Sequence, residues 1–457
     1  MTTMINPQIF RQYDVRGIVG QDLTPEVVEQ LGRGYGTYVV RHRGSKVSVG
    51  YDVRLSSPGF CDALTEGILS TGLDVVHIGL VSTPVLYYSF FHLDVDGGVM
   101  ITGSHNPAEY NGFKLGVGRA TIYGEEIQAV RRIIESGDFV TGRGNTTEQD
   151  IIPSYIETVK ERVGPFQRRL KVVVDAGNGT GGMVGPRLLR DLGAEVVELY
   201  CEPDGRFPNH HPDPTVPKYL TDLIAKVEEE EADLGIAWDG DADRIGVIDD
   251  EGKIIWGDQL MILFSREVLA SRPGASIIFE VKCSQSLPEE IEKAGGVPLM
   301  WKTGHSLIKE KMKELHSPLA GEMSGHLFFA DEYFGYDDAM YASCRLVRLL
   351  ARSGKRISEM LSDVTVYYST PESRVPCSEE EKFRVVEELA RHFRQEYETI
   401  DVDGVRILFE DGWGLVRASN TQAVLVLRFE ATTPERLEEL QKLVVGKLEE
   451  ILGGGAT

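Results

Sequence analysis

Three times along the chain the same succession recurs: a short β-branched run, a helical stretch, a second run, and a third run that ends in a polar loop. The first copy reads KVSVGYDVR, LDVVHIGLVSTP and GGVMITGSHNP; the second KVVVDAGNGTGG, AEVVELYCEPDG and ADLGIAWDGDADR; the third SIIFEVKCS, VPLMWKTGHS and SPLAGEMSGH. Recurrence at this scale means one architectural unit used repeatedly. Strand runs alternating with helices predict α/β units whose sheets are largely parallel. Ligands gather at the loops after the strand ends in such sheets. TGSHNP, DGDADR and GEMSGH therefore occupy one equivalent place in three copies, and are expected to converge on one cleft. From about Thr365 the pattern changes to strands flanked by the helix-like SEEEKFRVVEELARHF and PERLEELQKLVVGKLEEIL, which predicts an α+β domain with helices on one face of an antiparallel sheet. In it, GWGLVRASNTQ is read as a loop before an apolar strand. The expected fold is α/β: three similar domains with mixed, largely parallel sheets plus a C-terminal α+β domain, around a central cleft. The expected boundaries are 1–150, 151–253, 254–366 and 367–457, with the terminal GGGAT frayed.

Composition narrows the partners. The 457 residues are 42% apolar and 26% charged, a soluble globular balance, and no apolar run approaches the ~18 residues of a membrane span. The opening MTTMINPQIF lacks a basic stretch followed by an apolar one, so no signal peptide is read and the cytoplasm is the expected compartment. Five scattered cysteines without a C-x-x-C pair suggest neither a disulfide framework nor a zinc site. A net charge of −23, from 71 acids against 48 bases, disfavours nucleic acid and anionic membrane. Any anionic ligand must be held by basic residues gathered locally.

The loops carry the chemistry. TGSHNP is expected to hold the Ser104 hydroxyl up to solvent, although a polar turn alone needs no chemistry. In WDGDADR, Asp239, Asp241 and Asp243 alternate with small residues, so an extended backbone would turn three carboxylates to one side. Such a set favours a hard cation: Mg²⁺, Mn²⁺ or Ca²⁺. An EF-hand is excluded because Arg244 stands where that loop needs Gly, while an aspartyl-phosphate enzyme with Asp239 as nucleophile stays open. RASNTQ offers Arg417, Ser419, Asn420 and Thr421 to a phosphate. GEMSGH offers Glu322 and Ser324 to sugar hydroxyls, with His326 close by. Tyr13, Arg16, Lys114, and the strand-end residues Lys282 and His305 complete the candidates. A serine, an acidic cage, a hydroxyl-reading loop, a phosphate loop and scattered cations are what phosphoryl transfer requires.

The four loops TGSHNP, DGDADR, GEMSGH and RASNTQ, in this order, resemble those of the α-D-phosphohexomutases, specifically the bacterial phosphomannomutase/phosphoglucomutase group, over essentially the whole chain. The resemblance implies a phosphoserine at Ser104, with Mg²⁺ held by Asp239, Asp241, Asp243 and a phosphate oxygen on Ser104. It implies interconversion of hexose 1-phosphate and hexose 6-phosphate, of mannose and glucose alike, through a reorienting 1,6-bisphosphate. Glucose or mannose 1,6-bisphosphate would be the activator. Arg16, Lys114 and Arg244 would stabilise the moving charge, His105 and His326 would serve the chemistry, His326 as a candidate for proton transfer, and Tyr13, Lys282, His305, Glu322, Ser324, Arg417, Ser419, Asn420 and Thr421 would bind substrate. Glucosamine-specific relatives typically carry Gln where Met323 stands. A phosphoglucosamine mutase or a catalytically silent sugar-phosphate binder is the alternative, and the protein is expected as a monomer or small homo-oligomer.

Overall fold

The computed structural model describes residues 5–420 and 422–453. Its contacts divide the chain into two compact units, one formed by the residues up to Leu260 with Ser324–Leu361, the other by Met261–Met323 with the residues from Ser362 on.

The first unit holds two sheets built on one plan. In the first, Lys46–Tyr51 lies between Asp74–Leu80 and Gly97–Ile101, parallel to both. In the second, Lys171–Asp175 lies between Glu195–Leu199 and Leu234–Trp238, again parallel to both. The Val- and Ile-rich runs are buried on both faces, as strands covered by crossover helices must be. Each third strand then reverses into an antiparallel neighbour, Tyr110–Val117 in the first sheet and Ile245–Ile248 in the second. The serine and aspartate loops are therefore the turns between a third strand and its antiparallel partner. Val15–Ile18 closes the first sheet, placing Arg16 opposite Gly112. Because side chains alternate along a strand, Arg16 and Lys114 emerge on one face.

The second unit contains the third copy, with Ser276–Glu280 between Val297–Trp301 and Leu319–Gly321, parallel to both. Its other sheet is antiparallel throughout, in the order Tyr368–Ser369, Val424–Ala431, Gly412–Ala418, Val405–Phe409, Glu398–Ile400. The helix Lys382–Phe393 buries Val385, Leu389 and Phe393 at helical spacing against Ile407, Val416, Leu427 and Phe429. On the opposite face, Trp413 and Leu415 pack on Val281. Residues 413, 415 and 417 share that face, so the register aims Arg417 away from the helices.

Two local expectations are corrected. GWGLVRA is a strand, Gly412–Ala418, and only the residues after Ala418 form the loop. Gly414 is needed there because a Cβ would come 2.9 Å from the Phe429 ring. His305 is not at a strand end: the strand stops at Trp301 and His305 opens the helix His305–Leu315. Residues 454–457 of the terminal GGGAT lie outside the described residues. No helix among the described residues is long and apolar enough to cross a membrane.

Candidate active site

Ser104 is not held up to solvent, as its turn had suggested; it is 3% exposed. Its Oγ donates to Asp239 Oδ2 at 2.9 Å and lies 3.0 Å from His105 Nδ1. The backbone at Ser104 is left-handed, φ 49°, with its N–H donating to Thr102 Oγ1 at 2.8 Å. A non-glycine residue in that region costs roughly 1–3 kcal/mol and persists only where its surroundings over-determine it. Here the hydroxyl is aimed inward at a carboxylate, which is a geometry for chemistry rather than for display.

The aspartate loop is also built differently from the expected extended strand. It is a tight turn with Ala242 at φ 59°. Asp239 Oδ1 accepts the N–H groups of Asp243 and Arg244 at 3.0 and 3.1 Å. The turn, not strand alternation, brings Asp239, Asp241 and Asp243 together, with ligand atoms within 4.8 Å of one another. Lys114 bonds Asp241 Oδ2 at 2.6 Å and also pairs with Asp243. Thr83 donates its hydroxyl to the same Asp241 oxygen. Asp241 Oδ1 and Asp243 Oδ1 stay buried without a hydrogen-bond partner. Buried, unpaired carboxylate oxygens are costly, and three hard oxygen donors of like charge fit a divalent cation such as Mg²⁺. The electrostatics agree. Burial, with Asp243 and Asp241 adding repulsion, pushes the Asp239 carboxyl well above the usual range. Burial acts on Asp243 too, but Lys114 prevails and holds it low. The Lys114 ammonium is drawn up by Asp241 and Asp243 against the opposing effect of burial.

Around this centre, burial and the Arg244 and Arg16 cations hold His105 well below the ordinary imidazole value. Arg244 Nε donates to His326 Nε2 at 2.9 Å, and His326 Nδ1 lies 3.1 Å from Asp337 Oδ2. An arginine Nε can only donate, so Nε2 accepts and the ring proton sits on Nδ1, facing Asp337. With Nε2 taken by Arg244, His326 orients Arg244 in this arrangement, and the ring against Ser104 is that of His105. Arg16 pairs with Asp14. Tyr13 precedes the strand that carries Arg16. Ser324 opens the segment Ser324–Leu361 of this unit, whereas Glu322 belongs to the other.

The second unit gathers a different set. Lys282 Nζ lies 3.2 Å from Glu372 Oε2 and 3.6 Å from Glu280 Oε1. Glu280 also accepts from Thr303 Oγ1 at 2.7 Å and Met323 N at 3.0 Å. Glu322 Oε1 accepts the N–H of Gly304 at 2.6 Å, next to His305. Arg417 Nε donates to Asp403 Oδ2 at 3.0 Å, and the same carboxylate oxygen accepts Thr303 N. Burial pulls the Lys282 ammonium down, but Glu280 and Glu372 raise it above its ordinary value, with Arg417 and Glu322 near enough to act on it. Beyond Arg417, Lys382 Nζ donates to Ser419 O at 2.7 Å and Gln422 O at 3.2 Å, and Ser419 Oγ accepts Gln422 N at 3.2 Å. Asn420 lies in this loop; Thr421 falls outside the described residues.

Four models of one family match the chain in succession: phosphoglucomutase/phosphomannomutase α/β/α domain I over residues 7–141, domain II over 153–252, domain III over 256–367, and the C-terminal domain over 372–447. The chain belongs to the phosphoglucomutase/phosphomannomutase family. It is 47% identical over 444 residues to the phosphomannomutase/phosphoglucomutase of Pseudomonas aeruginosa, covering 97% of this chain and 96% of that protein. It is 43% identical over 442 residues to the phosphoglucomutase of Neisseria gonorrhoeae, with 96% of each chain covered. A crystal structure of a family member from Burkholderia thailandensis superposes with a TM-score of 0.92 at 42% identity, over 99% of both chains. The family's four-part architecture is thus the one that the three repeats and the differing C-terminal region anticipate.

Several residues escaped the sequence reading: Thr83 and Asp337 in the geometry above, and Asp52 with Arg54, whose guanidinium donates to the carbonyls of Ser104 and Asn106. Asp52 and Arg54 stand just past the strand Lys46–Tyr51, so the strand-end rule that selected the other loops was the signal available for them. Thr83 opens a helix, and nothing local marks it.

Proposed function

We propose that this protein interconverts hexose 1-phosphates and hexose 6-phosphates, of mannose and glucose, with Ser104 as the phosphoryl carrier. The observation that carries this reading is the buried, left-handed Ser104 with its Oγ 2.9 Å from Asp239, in a carboxylate cage that fits a cation. In the forward step, the bond between phosphorus and Ser104 Oγ breaks as one forms to the free O6 or O1 of a hexose monophosphate; the sugar hydroxyl gives up its proton and the departing Ser104 Oγ takes one up. The bisphosphate turns end over end, and its opposite phosphoryl returns to Ser104 as the proton is handed back.

Each group has a task in that cycle. His105, held neutral, takes or returns a proton beside Ser104. Arg16, Lys114 and Arg244 offset charge on the phosphoryl oxygens, with His326 and Asp337 orienting Arg244. Asp239, Asp241 and Asp243 hold Mg²⁺. That ion, when bound, neutralises charge on the phosphoryl group. In the second unit, Arg417, Ser419, Asn420 and Thr421 hold the phosphate that is not being transferred. Glu322 and Ser324 read O3 and O4, which mannose and glucose present alike, and Tyr13, Lys282 and His305 complete the substrate contacts. A hexose 1,6-bisphosphate of glucose or mannose primes Ser104, and the cytoplasm is where these substrates would be met.

Intact-protein mass spectrometry tests the carrier: a phosphate-sized increment on the wild type, absent in Ser104→Ala, with turnover lost in the variant. Wild-type turnover by Ser104→Ala would overturn the reading. A coupled assay on mannose, glucose and glucosamine 1-phosphates tests the substrate class, and a strong preference for the glucosamine compound would overturn the assignment to mannose and glucose.

A further inference from the structure

The chemistry above leaves one buried cation beside the serine loop without a role. Arg54, at the end of the first repeat's central strand, has a fully buried side chain. Its Nη1 donates to the carbonyls of Pro107 at 2.6 Å and Tyr110 at 2.8 Å, and its Nη2 to those of Ser104 at 2.8 Å and Asn106 at 2.6 Å. Its Nε donates to Asp52 Oδ2 at 3.2 Å. All five N–H donors of the guanidinium are thereby used, four of them on one loop.

Asp52 extends the grip. It accepts the N–H of Gly103 at 3.3 Å and the hydroxyl of Ser57 at 2.6 Å. The loop closes so tightly on the guanidinium that a Cβ at Gly103 would come 2.5 Å from Arg54 Cζ. Behind Arg54, the Phe207 ring centroid is 5.1 Å from Cζ, and a Cβ at Gly205 would come 2.2 Å from Val53 O. This gives a place to the DGRFPNHHPDP stretch of the second repeat. It backs the clamp.

The residue whose carbonyl Arg54 holds, Ser104, directs its hydroxyl to Asp239 Oδ2. We propose that Arg54 is a positioning residue for phosphoryl transfer, holding four carbonyls of the serine loop so that Ser104 keeps its left-handed conformation with Oγ on Asp239. The proposal rests on the reading of Ser104 as phosphoryl carrier. A guanidinium presents a planar fork that four converging carbonyls can share; a lysine ammonium has three donors on a flexible stem and cannot replace it.

Arg54→Lys is the test, measured as kcat, KM and single-turnover transfer per mole of folded protein, with Mn²⁺ affinity read by EPR. A displacement near 1 Å costs about 100-fold in rate, so kcat and the single-turnover rate should fall about 100-fold. KM for glucose 1-phosphate and Mn²⁺ affinity should stay within about 3-fold. A role in stability alone would lower the melting temperature and leave kcat per folded molecule unchanged, and that result overturns the proposal. Should Arg54→Lys not fold, Asp52→Asn carries the test: a loss confined to kcat supports the clamp and an unchanged kcat overturns it. Wild-type protein treated with glucose 1,6-bisphosphate is the control for the underlying reading. No phosphate on wild-type Ser104 refutes the carrier, whereas a phosphorylated wild type beside an Arg54→Lys variant of equal kcat refutes only the clamp.

Discussion

The two units handle buried charge differently. In the first, three buried carboxylates stand in one turn, Lys114 pairs with two of them, Asp241 and Asp243, and one oxygen on each of those two has no hydrogen-bond partner. In the second, Lys282 meets Glu280 and Glu372, and Arg417 meets Asp403. The first centre leaves the Oδ1 atoms of Asp241 and Asp243 without partners, which an added cation would satisfy. In the second, each cation already has a resident carboxylate partner, so an arriving anion would have to share Lys282 and Arg417 with those carboxylates. Losing one group should therefore be all-or-none in the first and graded in the second.

The largest expected effect comes from the cage. Exhaustive chelation should reduce turnover to background and added Mg²⁺ restore it, and Asp241→Asn should weaken Mn²⁺ binding, measured directly by EPR. Full activity after chelation would break the contrast at its strong end. Next is Arg417→Ala. A charge-assisted hydrogen bond contributes ~1.5–3 kcal/mol, so kcat/KM should fall roughly 10- to 200-fold, equally from the 1-phosphate and 6-phosphate sides. Initial rates in both directions decide it, and a loss as complete as that of chelation would show that the second unit is not graded.

A smaller effect separates two kinds of buried carboxylate within the first unit. Asp338, unlike the cage, is fully bonded: it accepts from Tyr155 and Tyr333 and caps the helix Ala339–Ser353 through Tyr341 N. Burial nevertheless raises its pKa from 3.8 to about 6. Between those values the folded state binds more protons than the unfolded one, so this group's contribution to stability falls as pH rises, by about 1.4 kcal/mol per unit. Asp338→Asn keeps the cap and should remove that slope. Urea unfolding of both proteins at pH 4, 5 and 6 measures the difference, and parallel curves would refute it. The smallest expected effect is the ratio of kcat/KM for mannose and glucose 1-phosphates, which should lie within about 10-fold, since one lost hydrogen bond is worth only about that much.

How much of this was legible depended on range along the chain. The three repeats were readable because strand and helix patterns are local, and the loops followed because third strands end in them. The burial of Ser104 was not, since the residues that enclose it, Asp239 and Arg54, lie far away in sequence. Nor was the turn at Asp239–Asp243 readable: it depends on Ala242 adopting a left-handed backbone, which no local preference of alanine favours. The strand Gly412–Ala418 looked like a loop because of its glycines, whereas Gly414 is there to admit Phe429. The tautomer of His326 was also out of reach, being set by Arg244 and Asp337 together.

The division of the chain has a consequence for how the protein is made. The first unit needs Ser324–Leu361 as well as the residues up to Leu260; Trp238 Nε1, for one, donates to Ser343 Oγ at 2.9 Å. On a ribosome adding about 5–20 residues per second, roughly 5–20 s pass between the emergence of position 260 and that of position 361. During that interval the second sheet waits for the helix Ala339–Ser353 that covers Trp238, and Met261–Met323, the opening part of the other unit, emerges first. The two units are interleaved in time, and a nascent chain stalled in this window exposes apolar surface that the finished protein hides.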